Sequence, residues 1–586
     1  MTGPANIRRS DETNQYRLLT RHFCGRFFDR ETLAAPQVEL SVLMVQILAL
    51  LVLPGALQSL YLYPKYGAYI YLSIPARDLA TLPDKFFFLS LSMILLGFLT
   101  IFVWEALFPD RRDCVVLAPL PVRARTVFSG KATALILFLL TFTVAINACP
   151  AVLFPLGVLA RRAAPIQIIR YVFSHSISVL LGNVFVFLSA ISLQGALLTI
   201  LPRGAAQAVS RWVRFSLLLL LLCALFSFPA VQEVDRLLHN GDRFWALCPP
   251  MWFLGIYEVL LGSRDPVLLH LAGRAISALA FTGVLSLLTY AACYRRFMQG
   301  SLEQSTSASQ TWAALRTAWN SLLDRCVLRN PRERASFHFA AQTMFRSPRH
   351  TLYLACFAGF ALSLALLGLI TAAYSNTLSG ARYLYQVLIA IPLVLSFFVL
   401  VGTRIGYAVP VDLDANWLFR LAPIKEVQTS ISGVRKFMIC LAIIPVFVFL
   451  ALFYALFWDW RAILVHFCFA LTLSIIFMEF LLAGFAKIPF TFSYRPAAGS
   501  ILGFLMAMGI GGRFLGSMEG LESWLLGDVR GFVYFYAIAC VVLIALRRHN
   551  ARPLRTGVAA LQFEQESDDD LTLLQLDLPA MQVPKP

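Results

Sequence analysis

Charged side chains are scarce in this chain of 586 residues. Asp, Glu, Lys and Arg make up 14% of the sequence, and apolar residues make up 59%. A soluble domain carries about 25% charged residues. Several runs of about 20 residues have almost no charge, which is the length that a helix needs to cross a bilayer. The scarcity excludes an ordinary soluble protein, and the solid apolar runs, without short alternating strands, argue against a β-barrel.

The cysteine patterns of metal and disulfide sites are also missing. The 11 cysteines are scattered, mostly inside apolar runs, and form no CxxC pair and no Cys/His spacing of a zinc site. Such spacings are the sequence signal for both kinds of site. We therefore predict no metal site, and we interpret the cysteines as small core hydrophobes.

A phosphate-binding loop is absent as well. The stretch "SGKA" (129–132) matches part of a P-loop, but Arg125 stands where the motif requires its first glycine. Without that glycine the backbone cannot cradle phosphates. The signatures HExxH and GxSxG do not occur either. We predict that this chain binds no cofactor and that any ATP with its Mg²⁺ is held by a partner.

Basic residues exceed acidic ones, with a net charge of +17. In a soluble protein this balance would suggest a nucleic-acid partner. In a membrane chain it fits Lys and Arg gathered in cytoplasmic loops, where they fix orientation and favour anionic lipid. We therefore predict a bilayer environment and no nucleic acid.

The apolar runs predict an all-α polytopic membrane protein with about twelve transmembrane helices. Ends are placed within several residues only. The predicted spans are 40–62, 86–108, 132–159, 172–200, 212–231, 267–293, 351–374, 385–408, 437–457, 461–486, 497–512 and 529–546.

Counts of Lys and Arg at the span ends predict that both termini are cytoplasmic, because positive charge stays on that side. One loop, with Arg161, Arg162 and Arg170, opposes this orientation. The predicted domains are an N-terminal arm with an amphipathic elbow helix (1–38), a first six-helix half (39–296), a linker with an amphipathic helix (297–335), a second elbow and six-helix half (336–549) and an acidic tail (550–586).

A phrase that follows the second span of each predicted half suggests an internal duplication. "LAPLPVRARTVFSGK" (117–131) corresponds to "LAPIKEVQTSISGVRK" (421–436), with Gly130 matching Gly433 after a one-residue shift. Internal repeats are a strong guide to architecture. Six spans in each half, both starting inside, make the two repeats parallel, whereas an inverted repeat needs an odd number.

The prolines of the first phrase predict a rigid turn that starts a short helix at about Val122, since proline breaks helices and extends the residue before it. That helix would expose Arg123 and Arg125 and bury Val127 and Phe128. It could act as a lever between two spans, or it could be a simple re-entry turn that carries cytoplasmic arginines. The sequence leaves both interpretations open.

An elbow helix, a loop between spans two and three, and an outer segment between spans five and six together resemble the membrane half of an ABC-2 type exporter. "LAPLPVRARTVFSGK", "PPMWFLGIYEVLLG" (249–262) and "KIPFTFSYRP" (487–496) look like sequence features of large bacterial permeases in that group. The resemblance implies a bacterial inner-membrane permease whose two halves are fused, with separate ATP-binding cassette subunits. It leaves open whether one fused chain acts alone or as a homodimer. It also implies that the two loops dock on those subunits, through Pro119, Leu120, Pro121, Arg123, Arg125, Lys131, Pro423, Lys425, Arg435 and Lys436. The second loop departs from the pattern, since Glu426 is acidic and its second Leu-Pro is missing.

Ionisable residues inside predicted spans are few, and each invites a functional interpretation because it is costly there. They are Glu105, which could pair with Arg111, together with Glu479, His175, His270 and His466. An enzyme acting on lipid-linked substrates would need an acidic or His-bearing cluster at one membrane face, such as Asp235, His239 and Asp242 in the outer segment. An ion-coupled carrier would depend on Glu479. Both classes stay open as alternatives to the permease.

Overall fold

The structure is a computed structural model that describes residues 4–27, 40–68, 74–108, 120, 122–159, 164–226, 247–299, 317, 320–321, 323–325, 327–374, 378–411, 416, 427–483, 485, 488–491 and 529–555. Within these ranges the chain is helical almost throughout and forms no β-strand.

Sixteen α-helices lie within the described ranges. They are α1 (Pro4–Phe27), α2 (Leu40–Ala68), α3 (Ile74–Phe102), α4 (Ala124–Asn147), α5 (Pro150–Leu159), α6 (Pro165–Ile200), α7 (Arg203–Phe226), α8 (Pro249–Leu261), α9 (Pro266–Gln299), α10 (Pro331–Arg346), α11 (Pro348–Tyr374), α12 (Leu378–Gly406), α13 (Val427–Met438), α14 (Ile444–Tyr454), α15 (Trp460–Leu481) and α16 (Val529–Arg555). A 3₁₀ turn (Trp104–Ala106) follows α3, and a π-helical turn (Ile439–Ile443) joins α13 to α14.

Eleven helical segments of the described chain are long and apolar enough to cross a membrane. They are Met44–Gly67, Ala80–Phe102, Arg125–Leu159, Pro165–Ile200, Ala208–Leu225, Pro266–Cys293, His350–Ala372, Tyr383–Gly406, Thr429–Tyr454, Trp460–Leu481 and Arg530–Ala551. Each coincides with one predicted span, and the remaining prediction, 497–512, lies outside the described residues. The protein is therefore an all-α, multi-pass membrane protein, as the sequence predicted.

Local sequence sets the helix ends. Pro165, Pro249 and Pro331 each stand in the first turn of a helix, where a missing backbone N–H costs nothing. Asn330 caps α10 by accepting a hydrogen bond from the backbone N–H of Arg332 at 3.0 Å. Gly262 ends α8 with φ +97°, a left-handed conformation that glycine adopts without steric cost.

The first of two compact units comprises residues 1–323 and 352–399. Its helix α3 is the most enclosed span, with 72% of its most apolar window buried against 22% for α2. Helices α6, α8 and α9 pack on one another closely. Gly255 permits this, since a Cβ there would lie 2.7 Å from backbone atoms of Leu268 and Ala272.

The second unit comprises residues 324–351 and 400–586. Its main helix pairs are α10 with α13 and α15 with α16. Phe337 and Phe437 join the first pair edge to face, with ring centroids 5.7 Å apart. The domain boundaries drawn from the sequence, and the duplication behind them, stay predictions.

Candidate functional site

The first candidate site is the junction of the elbow helix α1 with the start of α4, which we call the first junction. Tyr16 of α1 shares a hydrogen bond of 2.7 Å with Thr133 of α4. Lys131 is buried, with its Nζ 4.8 Å from the ring centroid of Phe23 and 5.1 Å from that of Phe27. Such cation–π contacts stabilise a buried ammonium, so Lys131 fastens α1 to α4.

The docking residues predicted just before α4 divide into two groups. Pro119 and Pro121 lie outside the described residues. Leu120 is 48% exposed, and the side chains of Arg123 and Arg125 are exposed too. Arg123 has extended backbone (φ −68°, ψ 135°) and precedes the first helical residue, Ala124.

The two residues predicted to be buried differ in their exposure. Val127 is partly buried against the core, whereas Phe128 is 38% exposed and meets the ring edge of Tyr290 at 5.4 Å. Phe128 is therefore less buried than the sequence suggested, because its ring packs beside Tyr290 at the surface of the unit and not in the core.

The second junction is the contact of α10 with α13. Lys436 of α13 donates to Glu333 at 2.5 Å and to the carbonyl oxygen of Val327 at 3.0 Å. Partial burial alone would raise the pKa of Glu333, but hydrogen bonds from Lys436 and Ser432 hold it below its ordinary value. A carboxylate so paired stays ionised at neutral pH. Pro423 and Lys425 lie outside the described residues.

Arg435, another predicted docking residue, points into the second unit instead. Its Nε lies 2.9 Å from Oε1 of Glu479, and Arg547 of α16 approaches the same oxygen at 3.1 Å. Asn550 donates to the backbone carbonyl of Glu479 at 3.0 Å. Glu479 is fully buried, so two guanidinium groups neutralise a carboxylate that would otherwise be costly in the membrane.

The two junctions share one arrangement. In each, a helix that precedes a span lies across the start of the third span of its half, next to a glycine. A Cβ on Gly130 would lie 3.2 Å from Cβ of Leu19, and a Cβ on Gly433 would collide with the backbone of Glu333. These are the two glycines that the sequence comparison paired. Lys131 directly follows Gly130, and Lys436 stands three residues after Gly433. Each binds the elbow helix, through aromatic rings in one junction and a carboxylate in the other.

Glu105, near the end of α3, pairs with Arg214 of α7 at 3.0 Å. Arg111, the partner suggested by proximity in sequence, lies outside the described residues. The neighbouring Trp104 is buried and donates from Nε1 to the hydroxyl of Ser210 at 2.8 Å. Gln194 donates to the carbonyl oxygen of Trp104 at 2.8 Å. The end of α3 is therefore tied to both α6 and α7.

The histidines of the spans have different surroundings. His175 is fully buried and His466 is 2% exposed, whereas His270 is exposed. His466 lies among aromatic rings, 5.6 Å from Trp458 between centroids. Asp235, His239 and Asp242 lie outside the described residues. In the described part of the chain, no group of three or more His, Cys, Asp and Glu side chains is placed to hold a metal ion.

Sequence reasoning missed a buried ion pair in the first unit. Lys85 of α3 and Glu258 of α8 are 2.6 Å apart, with side chains 0% and 8% exposed. The Nζ of Lys85 also lies 5.1 Å from the ring of Tyr171 and 5.3 Å from that of Tyr257. The sequence carries a signal for this pair, since Glu258 is the only charged residue in its apolar 13-residue helix. Lys85 escaped notice because the predicted span began at residue 86.

A second group that was missed joins α3, α4 and α6 by uncharged hydrogen bonds. The amide of Asn183 donates to the hydroxyls of Ser92 at 2.9 Å and of Thr143 at 3.1 Å. Asn147 donates to Ser92 at 2.7 Å. All four side chains are buried. Inside a membrane such bonds between helices specify which faces meet.

Comparison with known proteins adds no family. No family model, no curated protein and no solved structure matches the chain. The features that bear on function are therefore the membrane fold and the two junctions.

Proposed function

We propose that this protein is the membrane-spanning permease subunit of an ATP-driven ABC-type exporter. In this proposal it lies in a bacterial inner membrane with both termini in the cytoplasm. Separate ATP-binding cassette subunits hydrolyse ATP, and the chain supplies two fused six-helix halves that move the substrate. The chain itself binds no nucleotide.

The observation that carries the proposal is the likeness of the two junctions. Each joins an elbow helix to the first turns of the third span, on the side of the membrane that the positive charges predict to be cytoplasmic. A docking loop of an ATP-driven permease needs this property, because a push on the loop must move whole helices. Close glycine contacts, together with the buried Lys131 in one junction and the partly buried Lys436 in the other, make each junction a stiff unit, and packed side chains transmit such strain.

The junctions also divide the predicted docking residues by role. Lys131, Arg435 and Lys436 have partners inside the protein, so we assign them to holding the loops in place. Arg123 and Arg125 are exposed, and we assign them to contact with the acidic surface of an ATPase subunit. Exposed charges of this kind govern association rate and specificity.

The proposed mechanism follows from the attachments of α3 and α4. Closure of the ATPase subunits pushes the exposed arginines, which moves α4 together with α1. Helix α3 is tied at its end to α6 and α7 through Trp104 and Gln194, so the push spreads to these helices. Rocking of each half then opens a path for the substrate.

The test is recovery of an ATPase subunit with the purified protein. We expect the double variant Arg123→Glu with Arg125→Glu to lose that partner, because it reverses two charges at the docking surface. The control is Arg264→Glu with Arg461→Glu, since both residues are exposed and are predicted to lie on the opposite side of the membrane. It should keep the partner.

Two results would overturn the proposal. One is wild-type protein that copurifies with no ATPase and transports without ATP. If that transport collapses with an ion gradient, the chain is an ion-coupled carrier. The other is chemical turnover of a lipid-linked substrate by the purified chain, which would make it a membrane enzyme.

A further inference from the structure

One face of α6 is polar over much of its length inside the first unit. Tyr171, Ser174, His175, Ser178 and Asn183 are all buried. Ser174 and His175 lie three and four residues after Tyr171, and Ser178 lies four and three residues after them, so these four side chains share one side of the helix. From Tyr171 to Ser178 the stripe covers about 10 Å at 1.5 Å per residue, about a third of the thickness of a bilayer core.

The middle of this stripe holds hydrogen-bonding groups without partners. Among the described residues, nothing bonds the hydroxyls of Ser174 and Ser178, either ring nitrogen of His175, or the hydroxyl of Tyr257. All four side chains are 0% exposed. Buried polar groups almost always have a partner, either protein or ordered water.

The two serines differ from several other buried helical hydroxyls of this protein. Ser59, Thr100 and Ser363 each donate to the carbonyl four residues earlier, at 2.6–2.8 Å. This back-bonding is the usual solution for a hydroxyl inside a helix bundle. Ser174 and Ser178 do not use it, which indicates that their hydroxyls have another acceptor or donor.

The stripe has a charged end, where the pair Lys85–Glu258 lies beside Tyr171. Asn183, five residues beyond Ser178 and on a different side of α6, bonds Ser92. Beyond the charged end, Asp84 is 11% exposed and Lys65 is 34% exposed, and the two form an ion pair at 2.7 Å. The partly exposed pair places the charged end near the surface of the unit.

We propose that ordered water occupies the interior of the first unit between α3, α6 and α8, bonding Ser174, His175, Ser178 and Tyr257 beside the Lys85–Glu258 pair. The chemistry favours water over an ion, because the charged groups here already face opposite charges and the unpartnered groups are neutral donors and acceptors. At roughly three hydrogen bonds each, about two water molecules would satisfy the five atoms. The inference does not depend on the proposed permease function.

The test is the reactivity of cysteines placed along α6 with a small water-soluble methanethiosulfonate in lipid nanodiscs. Ser174→Cys and Ser178→Cys are close in shape to the native residues. The control is Val179→Cys, at the next position, because Val179 is 1% exposed and packs in an apolar cluster. Mass spectrometry of peptides separates the new thiols from the native ones.

We expect the two serine positions to react at least ~10-fold faster than position 179, because a dry buried thiol reacts only when the bundle opens locally. Equal rates at all three positions would overturn the proposal. A second measurement uses the unmodified protein, in case a variant fails to fold. Radiolytic hydroxyl labelling should modify Tyr257 well above Tyr454, which is equally buried and whose hydroxyl is not among the unpartnered groups. Equal labelling would likewise refute internal water.

Discussion

The buried pair Lys85–Glu258 allows a quantitative prediction. Replacing Lys85 by Met leaves the carboxylate of Glu258, 8% exposed, without its cation. Breaking a buried ion pair from one side costs about 3–5 kcal/mol, because the remaining charge is uncompensated. We expect Lys85→Met to lower the free energy of unfolding by about that amount.

Replacing Glu258 should lower the free energy of unfolding by less than replacing Lys85. In Glu258→Gln the ammonium of Lys85 keeps the rings of Tyr171 and Tyr257 at 5.1 and 5.3 Å. Each cation–π contact contributes about 0.5–2 kcal/mol, so we expect a loss smaller by ~1–2 kcal/mol than for Lys85→Met. The double variant should be more stable than Lys85→Met, since it leaves no buried charge.

The assay is unfolding of the purified protein in mixed micelles with increasing SDS, followed by circular dichroism. The control is the pair of Glu105 and Arg214, in which the carboxylate is 65% exposed and the guanidinium 11% exposed. Breaking it by Glu105→Gln should cost only ~0–1 kcal/mol. The reasoning is refuted if Lys85→Met costs no more than this control, or if the double variant is less stable than both single variants.

Three further predictions concern the second unit. Glu333→Gln should destabilise the protein by ~1 kcal/mol at pH 7 and by less at pH 3. The lowered pKa of Glu333 gives stability that is present above its ordinary value of 4.5 and is lost as the pH falls through the native value. Arg435→Met or Arg547→Met alone should cost ~1 kcal/mol. Both together should cost ~3–5 kcal/mol, more than the sum of the two, because Glu479 is then buried without a cation. Gly433→Ala should cost ~1–3 kcal/mol, because its methyl group collides with the backbone of α10.

Thermal unfolding of the purified variants measures all three. For the pH prediction, an equal effect of Glu333→Gln at both pH values would contradict the assigned ionisation. For the arginines, the prediction is contradicted if the double variant loses only the sum of the two single losses in stability. That result would mean that neither guanidinium group compensates for the absence of the other. The control for Gly433→Ala is Gly130→Ala, where the nearest atom lies at 3.2 Å. A larger loss at Gly130 than at Gly433 would contradict the steric argument.

The helices could be predicted from the sequence because each apolar run carries its own signal. A run of about 20 uncharged residues leaves a helix as the only structure that satisfies its backbone in lipid. Eleven spans were found in this way. Their ends were less accurate, since a run was cut at its first charge. Helix α3 in fact begins at Ile74 and carries Asp84 and Lys85 inward.

The partners of the charged residues could not be predicted. Glu258 lies 173 positions from Lys85, and Glu105 pairs with Arg214 at a separation of 109. Counts of basic residues indicate on which side of the membrane a loop lies, but they do not distinguish a lysine that faces water from one that packs under an elbow helix. Lys131 was therefore grouped with Arg123, although one is buried and the other exposed.

The π-helical turn between α13 and α14 changes which side of the helix faces the neighbouring helices. A π-turn inserts one extra residue into an α-helix, and one residue turns the helix by about 100°. The side that carries Lys436 towards α10 is therefore not continued into α14, where Phe447 and Tyr454 are buried. Removing a single residue from 439–443 should leave a continuous helix but rotate those two aromatic rings towards the lipid. The extra residue therefore sets the angle between the side of α13 that faces α10 and the buried side of α14.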